Sequence, residues 1–507
     1  MQATSAPTNK TALRFLAVLL LCPALASIAL ADDPSTLAKD MNPSQPIELR
    51  AGDIRLKFQD GQLRYLRVGD REIVRRVYFA VRDGNWATIQ PRFVHASIRQ
   101  SPDGFEINLA AECRHDPVNL KWTGHIKGTP DGKITFQAEG TAGGDFQSNR
   151  IGLCVLYGLP SLSEQAFETF ESAEGTSAPT PGRFPPLVSP VLVAQNFKLL
   201  RYTSPEGYPV SVSVEGATFD MEDQRNWGDA SFKAFAPLPY AYPNVKKDQK
   251  FAQRVLITSN GSTGLDKYAE RQAVHLRIGG PIAGAKVPKV GVRGKEAEGV
   301  KEFVDINRGR DKYAGASAVS WLYESDTHLP DDDTLMENPP ALFHQANTIR
   351  SFVPKATLRV FPVRPQHDAP FDGAWAAEAL RALSIAGVDE AWFSSSGDLP
   401  APLADIAAHV GKPVLSAEPV DEPGSARQAW AVQALAVRDG NATIVWIINR
   451  TPEKSQAVLE GLGPAAKVTQ LNVTTDAAAP KPIDSTGETT ISVDLGPYGV
   501  YRIEPKR

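Results

Sequence analysis

From Ile47 to about Leu276 the chain keeps one habit: short runs in which apolar and polar side chains alternate, separated by turn residues. The pattern is clearest in Asp53-Ile54-Arg55-Leu56-Lys57-Phe58, then Gln59-Asp60-Gly61, then Leu63-Arg64-Tyr65-Leu66. Alternation with period two places successive side chains on opposite faces, so each run is a strand with one buried face. Further runs are Phe105 to Ala110, Ile134 to Glu139, Gly152 to Tyr157, Pro209 to Val214 and Phe251 to Thr258. So many strands with few helix signals predict an N-terminal antiparallel β-sandwich, or a pair of them, across residues 32–280.

After Gly280 the punctuation changes. Apolar runs at Val287 to Val292, Ala316 to Leu322, Thr357 to Val363 and Val388 to Ser394 alternate with helical spacing, the mark of βα units round a parallel sheet. One predicted helix takes Asn338 as N-cap and Pro339 in its first turn, with Leu342, Ala346 and Ile349 on one face. A second runs from Gly373 to Ala386 and stops at Gly387; a third runs from Leu403 to Val410 and stops at Gly411. Residues 281–420 hold too few such units for a closed eightfold barrel, which needs about 250 residues. The expectation is a partial or reduced (β/α) barrel. Strands return in residues 421–507, at Trp430 to Val437, Ala442 to Asn449, Ala465 to Val473, Thr489 to Val493 and Pro497 to Ile503, as a C-terminal β-sandwich, with Asp476 to Lys481 as a loop. The fold class is thus multidomain, all-β flanks about an α/β centre.

With 54 basic and 58 acidic residues the net charge is -4, so nothing draws the chain toward nucleic acid or an anionic membrane. Small sugars, sugar lactones and glycans remain as partners. At the N-terminus, Lys10 and Arg14 precede an apolar run from Phe15 to Leu30, and Ala29-Leu30-Ala31 supplies the small residues that a signal peptidase accepts. Residues 1–31 are expected to be removed, leaving an exported protein, periplasmic or secreted, without a membrane anchor. Loss of Cys22 leaves Cys113 and Cys154, which either pair in an oxidising compartment or stay as separate buried thiols.

The densest polar segment is Phe219-Asp220-Met221-Glu222-Asp223-Gln224-Arg225-Asn226-Trp227-Gly228-Asp229-Ala230-Ser231-Phe232-Lys233. Glu222, Asp223, Arg225, Asn226, Asp229 and Lys233 beside the Trp227 ring are the mixture that sugar sites use: an aromatic plane for C–H faces, carboxylates and amides for hydroxyls. A buried polar clamp between domains is the other reading. A second group, Asp305, Asn307 and Arg308, stands where barrel enzymes carry catalysts, past an early strand of the α/β region. Asp305 there is placed as a base toward water, and Asn307 and Arg308 as oxyanion donors; a solvated loop is the alternative. A third group, Glu324, Asp326, His328, Asp331, Asp332, Asp333 and Glu337, has oxygen ligands for a divalent cation but no EF-hand spacing, so no metal is assigned. The chain lacks G-x-S-x-G, H-E-x-x-H, a phosphate loop and a dinucleotide fingerprint, and no cofactor is implied.

Through Phe219 to Lys233 the sequence resembles the D-apionate lactonase family, whose members read F-E-M-E-D-Q-R-N-W-x-D-A-S-x-K. Gly61 to Arg67, Val81-Arg82-Asp83-Gly84-Asn85-Trp86 and Asn149-Arg150-Ile151-Gly152 are similar to its N-terminal portion. Asp305-Ile306-Asn307-Arg308 is similar to its E-L-N-R, with Leu335 to Asn338 and Ile349 to Ser351 in matching positions. The resemblance implies sandwich, barrel and sandwich in series and hydrolysis of a branched-pentose lactone. Three features depart from it: Asp305 replaces the glutamate, Tyr157-Gly158 stands for His-Pro, and the first half of the barrel is missing. Two rivals to a lactonase follow: a non-catalytic carbohydrate-binding or structural protein with a degenerate barrel, and a glycoside hydrolase.

Overall fold

The computed structural model describes residues 39–505, apart from 70, 160–161, 205–206, 238–243, 260–272, 295–296, 366, 395–397, 421–429, 463–465 and 473–489. The expected signal segment and the Asp476 to Lys481 loop lie outside the described residues. No helix among the described residues is long and apolar enough to cross a membrane.

Among the described residues the alternating region forms two antiparallel sheets. The first has ten strands, from Lys39–Asp40 at one edge through Gly104–His115, Val118–Thr129 and Lys133–Ala142 to Thr180–Arg183 at the other. The second has nine, with Phe219–Asp223, Ser231–Phe235, Phe146–Gly158, Arg71–Asp83 and Gln62–Val68 side by side. Alternation along Arg71–Asp83 sends Val77, Phe79 and Val81 into the main core, where Phe79 stacks on Trp122 of the first sheet at 4.9 Å. Tyr78 and Ala80 face the other way and join Cys154, Leu156 and Phe235 in a separate small cluster. This outward face carries the candidate site. Cys113 and Cys154 are separate, buried, free thiols.

The boundary expected at residue 280 falls inside a strand. Ala273–Lys286 runs antiparallel to Pro413–Pro419 and parallel to Ser455–Glu460, inside an eight-stranded C-terminal sheet. Gly280 reads as punctuation, but the register shifts between Ile278 and Pro281, so it marks a bulge in a continuing strand.

Between the all-β parts lies a five-stranded sheet ordered Lys289–Val292, Glu390–Phe393, Thr357–Val363, Ala318–Glu324, Lys301–Glu302, with every pair parallel. Its helices include Phe303–Arg308, Asp332–Glu337, Pro340–Phe352, Ala369–Ile385 and Ala401–Ala407. Ala369–Ile385 begins where the Asp368 carboxylate accepts from the Phe371 N–H, and Gly387, at φ 63°, ends it. The expected N-cap Asn338 instead closes Asp332–Glu337, and Pro339 caps the next helix. The Asn338 side chain is used elsewhere, as described below.

Candidate active site

The polar segment folds as strand Phe219–Asp223, a tight turn at Gln224–Trp227, and strand Ser231–Phe235. Its side chains divide between two jobs.

Asp223, Arg225 and Asn226 form a clamp. The Arg225 guanidinium, wholly buried, donates from Nε and Nη2 to the two oxygens of Asp223 at 2.8 and 2.6 Å. It also donates to the carbonyls of Pro185, Pro186 and Leu187 at 2.7, 3.0 and 3.3 Å, and Nη1 lies 3.0 Å from His344 Nδ1. The Asn226 amide donates to the Ser189 carbonyl and its oxygen accepts from Asn307 at 2.8 Å. Asn307, buried, spends its other N–H on the Val188 carbonyl, and its oxygen accepts twice from Arg310. Every polar atom in this set is satisfied inside the protein, so none is left for a hydroxyl or an oxyanion. Asp223, Arg225, Asn226 and Asn307, expected to meet substrate, tie the 185–189 segment to the sheet and to helix Phe303–Arg308 instead. Asp305 and Arg308 lie on the exposed side of that helix. The Asp305 carboxylate has no bonded partner among the described residues, and Arg308 sits 5.5 Å over the Trp227 ring.

Trp227 lines a cleft of about 50 Å³ with Glu302, Tyr323, Glu324 and Thr327 at the carboxyl end of the parallel strands. Burial, Asp326 and Glu302 raise the Glu324 carboxyl, with Arg293 opposing. That volume holds water and not a sugar ring.

Glu222, Lys233 and Asp229 point to the outward face of the second sheet. Cross-strand pairing sets Glu222 beside Lys233, Lys233 beside Leu156, and Arg150 beside Arg82. Arg82, Arg150 and Lys233 are 4, 5 and 2 % exposed. Lys233 lies 3.1 Å from Glu222 and donates to Gln224 Oε1 at 2.6 Å. Burial lowers Lys233 to about 8; Glu222 opposes this, while Arg150 and Arg82 add to it. Although burial raises Glu222, Lys233, Arg150 and His328 pull it down to about 2.

His328, from the loop after strand Ala318–Glu324, faces the same charges. Its Nδ1 lies 2.5 Å from Asp229 Oδ2, and its carbonyl accepts from Thr88 at 2.9 Å. Asp229 is itself fixed by the Asn338 amide at 3.2 Å, and Asn338 also donates to the Ser325 carbonyl. Burial lowers His328 to about 4; Asp229 opposes, and Lys233 and Arg82 reinforce. At neutral pH the imidazole is uncharged; Nδ1 lies close to the carboxylate but outside hydrogen-bond geometry, and Nε2 has no hydrogen-bond partner among the described residues. Gly228, at φ 94°, makes the turn before Asp229 possible: a Cβ there would stand 2.2 Å from the Glu324 carbonyl. No metal-binding group of three ligands occurs among the described residues.

Sequence reasoning saw His328 only as a metal ligand and did not single out Arg82 or Arg150 as site residues. The available signal was that Arg82, Arg150 and Lys233 each lie in a segment through which the chain resembles one family. The fold brings those segments to one surface.

These features define a β-rich protein with an immunoglobulin-like C-terminal part and a buried ionic site between its second sheet and its α/β layer. Residues 35–262 match the family model for the D-apionate lactonase N-terminal domain, and residues 430–503 the model for the D-apionate lactonase C-terminal immunoglobulin-like domain. The chain belongs to the D-apionate lactonase family. A curated D-apionate lactonase of Brucella anthropi is 26% identical over 314 residues, covering 61% of this chain and 48% of that protein. The chain thus spans about half the length of the curated relative it matches. Among solved structures, a glycoside hydrolase family 44 endoglucanase of Clostridium thermocellum is 13% identical, covering 42% of this chain and 53% of that one, with a TM-score of 0.32. A Paenibacillus polymyxa xyloglucanase of the same family is 11% identical over 37% of this chain and 46% of its own, with a TM-score of 0.30. Likenesses this distant carry no argument about fold or activity.

Proposed function

We propose that the protein hydrolyses a small sugar lactone at the outward face of its second sheet. Family membership supports the reaction class, and one observation carries the site: the neutral His328, its Nδ1 2.5 Å from Asp229 Oδ2, set against the cations of Lys233, Arg82 and Arg150. In this reading His328 Nε2 takes a proton from water as the oxygen attacks the lactone carbonyl carbon. The carbonyl electrons move to oxygen, and the Lys233 ammonium stabilises that oxyanion. When the electrons return, the ring C–O bond breaks; the departing alkoxide takes the proton back from His328, leaving a hydroxy acid. Asp229 acts through His328 as a positioning residue. Asp305 has no role in the site.

The test is acid release in a pH-stat from a panel of aldonolactones. The wild-type protein and Asp305→Asn release acid at equal rates, and His328→Gln falls by about 100-fold or more, the scale of lost general-base catalysis. Equal rates for His328→Gln and wild type overturn the assignment. A non-catalytic carbohydrate-binding role is the second reading, favoured by the five-stranded open sheet and the solvent-facing Asp305; saccharide binding with no acid release from any lactone would establish it. Export with cleavage after Ala31 belongs to the proposal, resting on the basic and apolar N-terminal pattern, and N-terminal sequencing of the exported protein should begin at Asp32.

A further inference from the structure

Arg82, Arg150 and Lys233 present more positive charge than their surroundings cancel. Lys233 has Glu222, and Asp229 is engaged by His328 and Asn338. Arg150 lies over Phe235, 3.5 Å from guanidinium carbon to ring centroid, and 5.8 Å from Trp86, while its buried Nε and Nη1 have no hydrogen-bond partner among the described residues. Arg82 donates from Nη1 to the Trp86 carbonyl at 3.4 Å, and its buried Nε is likewise without a partner among the described residues. A guanidinium in water satisfies all its N–H groups; two of them, each at least 95 % buried and incompletely bonded, are a costly arrangement unless something anionic completes it. Glu222 and Trp86, partly exposed, form the rim toward solvent.

An oxyanion that exists only during turnover does not need two arginines and a lysine held permanently in place. We infer that Arg82 and Arg150 take a carboxylate belonging to the substrate itself, so that the preferred substrate is a lactone bearing its own carboxylate, the class formed by aldaric and uronic acids. This rests on the hydrolase reading of the same site. A planar guanidinium matches a carboxylate through paired N–H donors, and two of them at adjacent cross-strand positions suit one such group.

The experiment is calorimetric titration of the full chain with glucarate, gluconate and the neutral alditol sorbitol, none of which can be hydrolysed. Glucarate binds most tightly and sorbitol not measurably, and Arg150→Gln weakens glucarate by about tenfold or more, the loss of one charge-assisted hydrogen bond. A second readout needs no variant. Because a bound anion favours the charged form of Lys233, glucarate binding at pH 8.5 takes up protons, seen as a binding enthalpy that changes with the ionisation heat of the buffer. Equal affinity for sorbitol and glucarate, or no binding of glucarate at tens of millimolar, overturns the inference. Hydrolysis of neutral lactones without glucarate binding sinks this inference and keeps the hydrolase; glucarate binding without hydrolysis of any lactone does the reverse.

Discussion

Replacing Arg225 by methionine separates the two jobs of the polar segment. The side chain is wholly buried and joins Asp223, three consecutive carbonyls and His344. Methionine fills much of the volume but leaves the Asp223 carboxylate buried without its cation, a loss of about 3–5 kcal/mol. The carbonyls of Pro185, Pro186 and Leu187 lose a donor as well, adding roughly 1 kcal/mol or more. Against a typical total stability of about 5–15 kcal/mol this is a large fraction. Urea unfolding followed by tryptophan fluorescence reads it as a lower midpoint at unchanged slope. Asp223→Asn with Arg225→Met should cost less than the two single changes summed, since the orphaned charge disappears. Below the variant's unfolding transition, the KM for a hydrolysed lactone should match wild type. A stability loss under about 1 kcal/mol, or a raised KM in a protein of native stability, refutes the clamp and returns Arg225 to the substrate.

Other outcomes follow from the same structure. Gly228→Ala forces a Cβ against the Glu324 carbonyl at a positive φ and should destabilise by about 1–3 kcal/mol, read as a lowered Tm. Phe184 packs among Phe167, Tyr157, Tyr202 and Phe232, immediately before the clamped segment, so Phe184→Ala should cost about 3–5 kcal/mol in urea unfolding. His328 is held at about 4 in the fold against an ordinary value of 6.5. The unfolded chain therefore binds its proton first as pH falls, and stability drops between about 6.5 and 4 by an amount on the order of 3 kcal/mol. In His328→Gln that part of the acid sensitivity should vanish from a series of unfolding curves measured across this pH range.

The sheet-rich flanks were legible because alternation is local: each run between turns reports its own buried face. The parallel units were legible from their short apolar runs, down to Thr357–Val363, and so was the C-terminal strand Ala442–Asn449. The strand Ala273–Lys286 was misread because a bulge and a boundary present the same glycine. Asn338 was misread because its amide serves Asp229, which lies far away in the sequence. The polar segment was visible as a unit, but its division was not. Which face a side chain takes depends on the register of Phe219–Asp223 against Ser231–Phe235, and what waits on each face comes from distant chain. His328 meets Asp229 only because strand Ala318–Glu324 ends beside the turn at Gly228. Arg82 and Arg150 meet only through antiparallel pairing of two long strands.

The central claim is that a neutral His328 works beside a protonated Lys233, and the pH dependence of kcat/KM for lactone hydrolysis tests it most directly. The base must be free of its proton, so the rate falls below about 4; the cation must keep its proton, so the rate falls above about 8. The account predicts a plateau between these limits, with the upper limb lost in Lys233→Arg, whose guanidinium stays charged. An acid limb near 6.5, or a rate still climbing through pH 9 in the wild type, contradicts it.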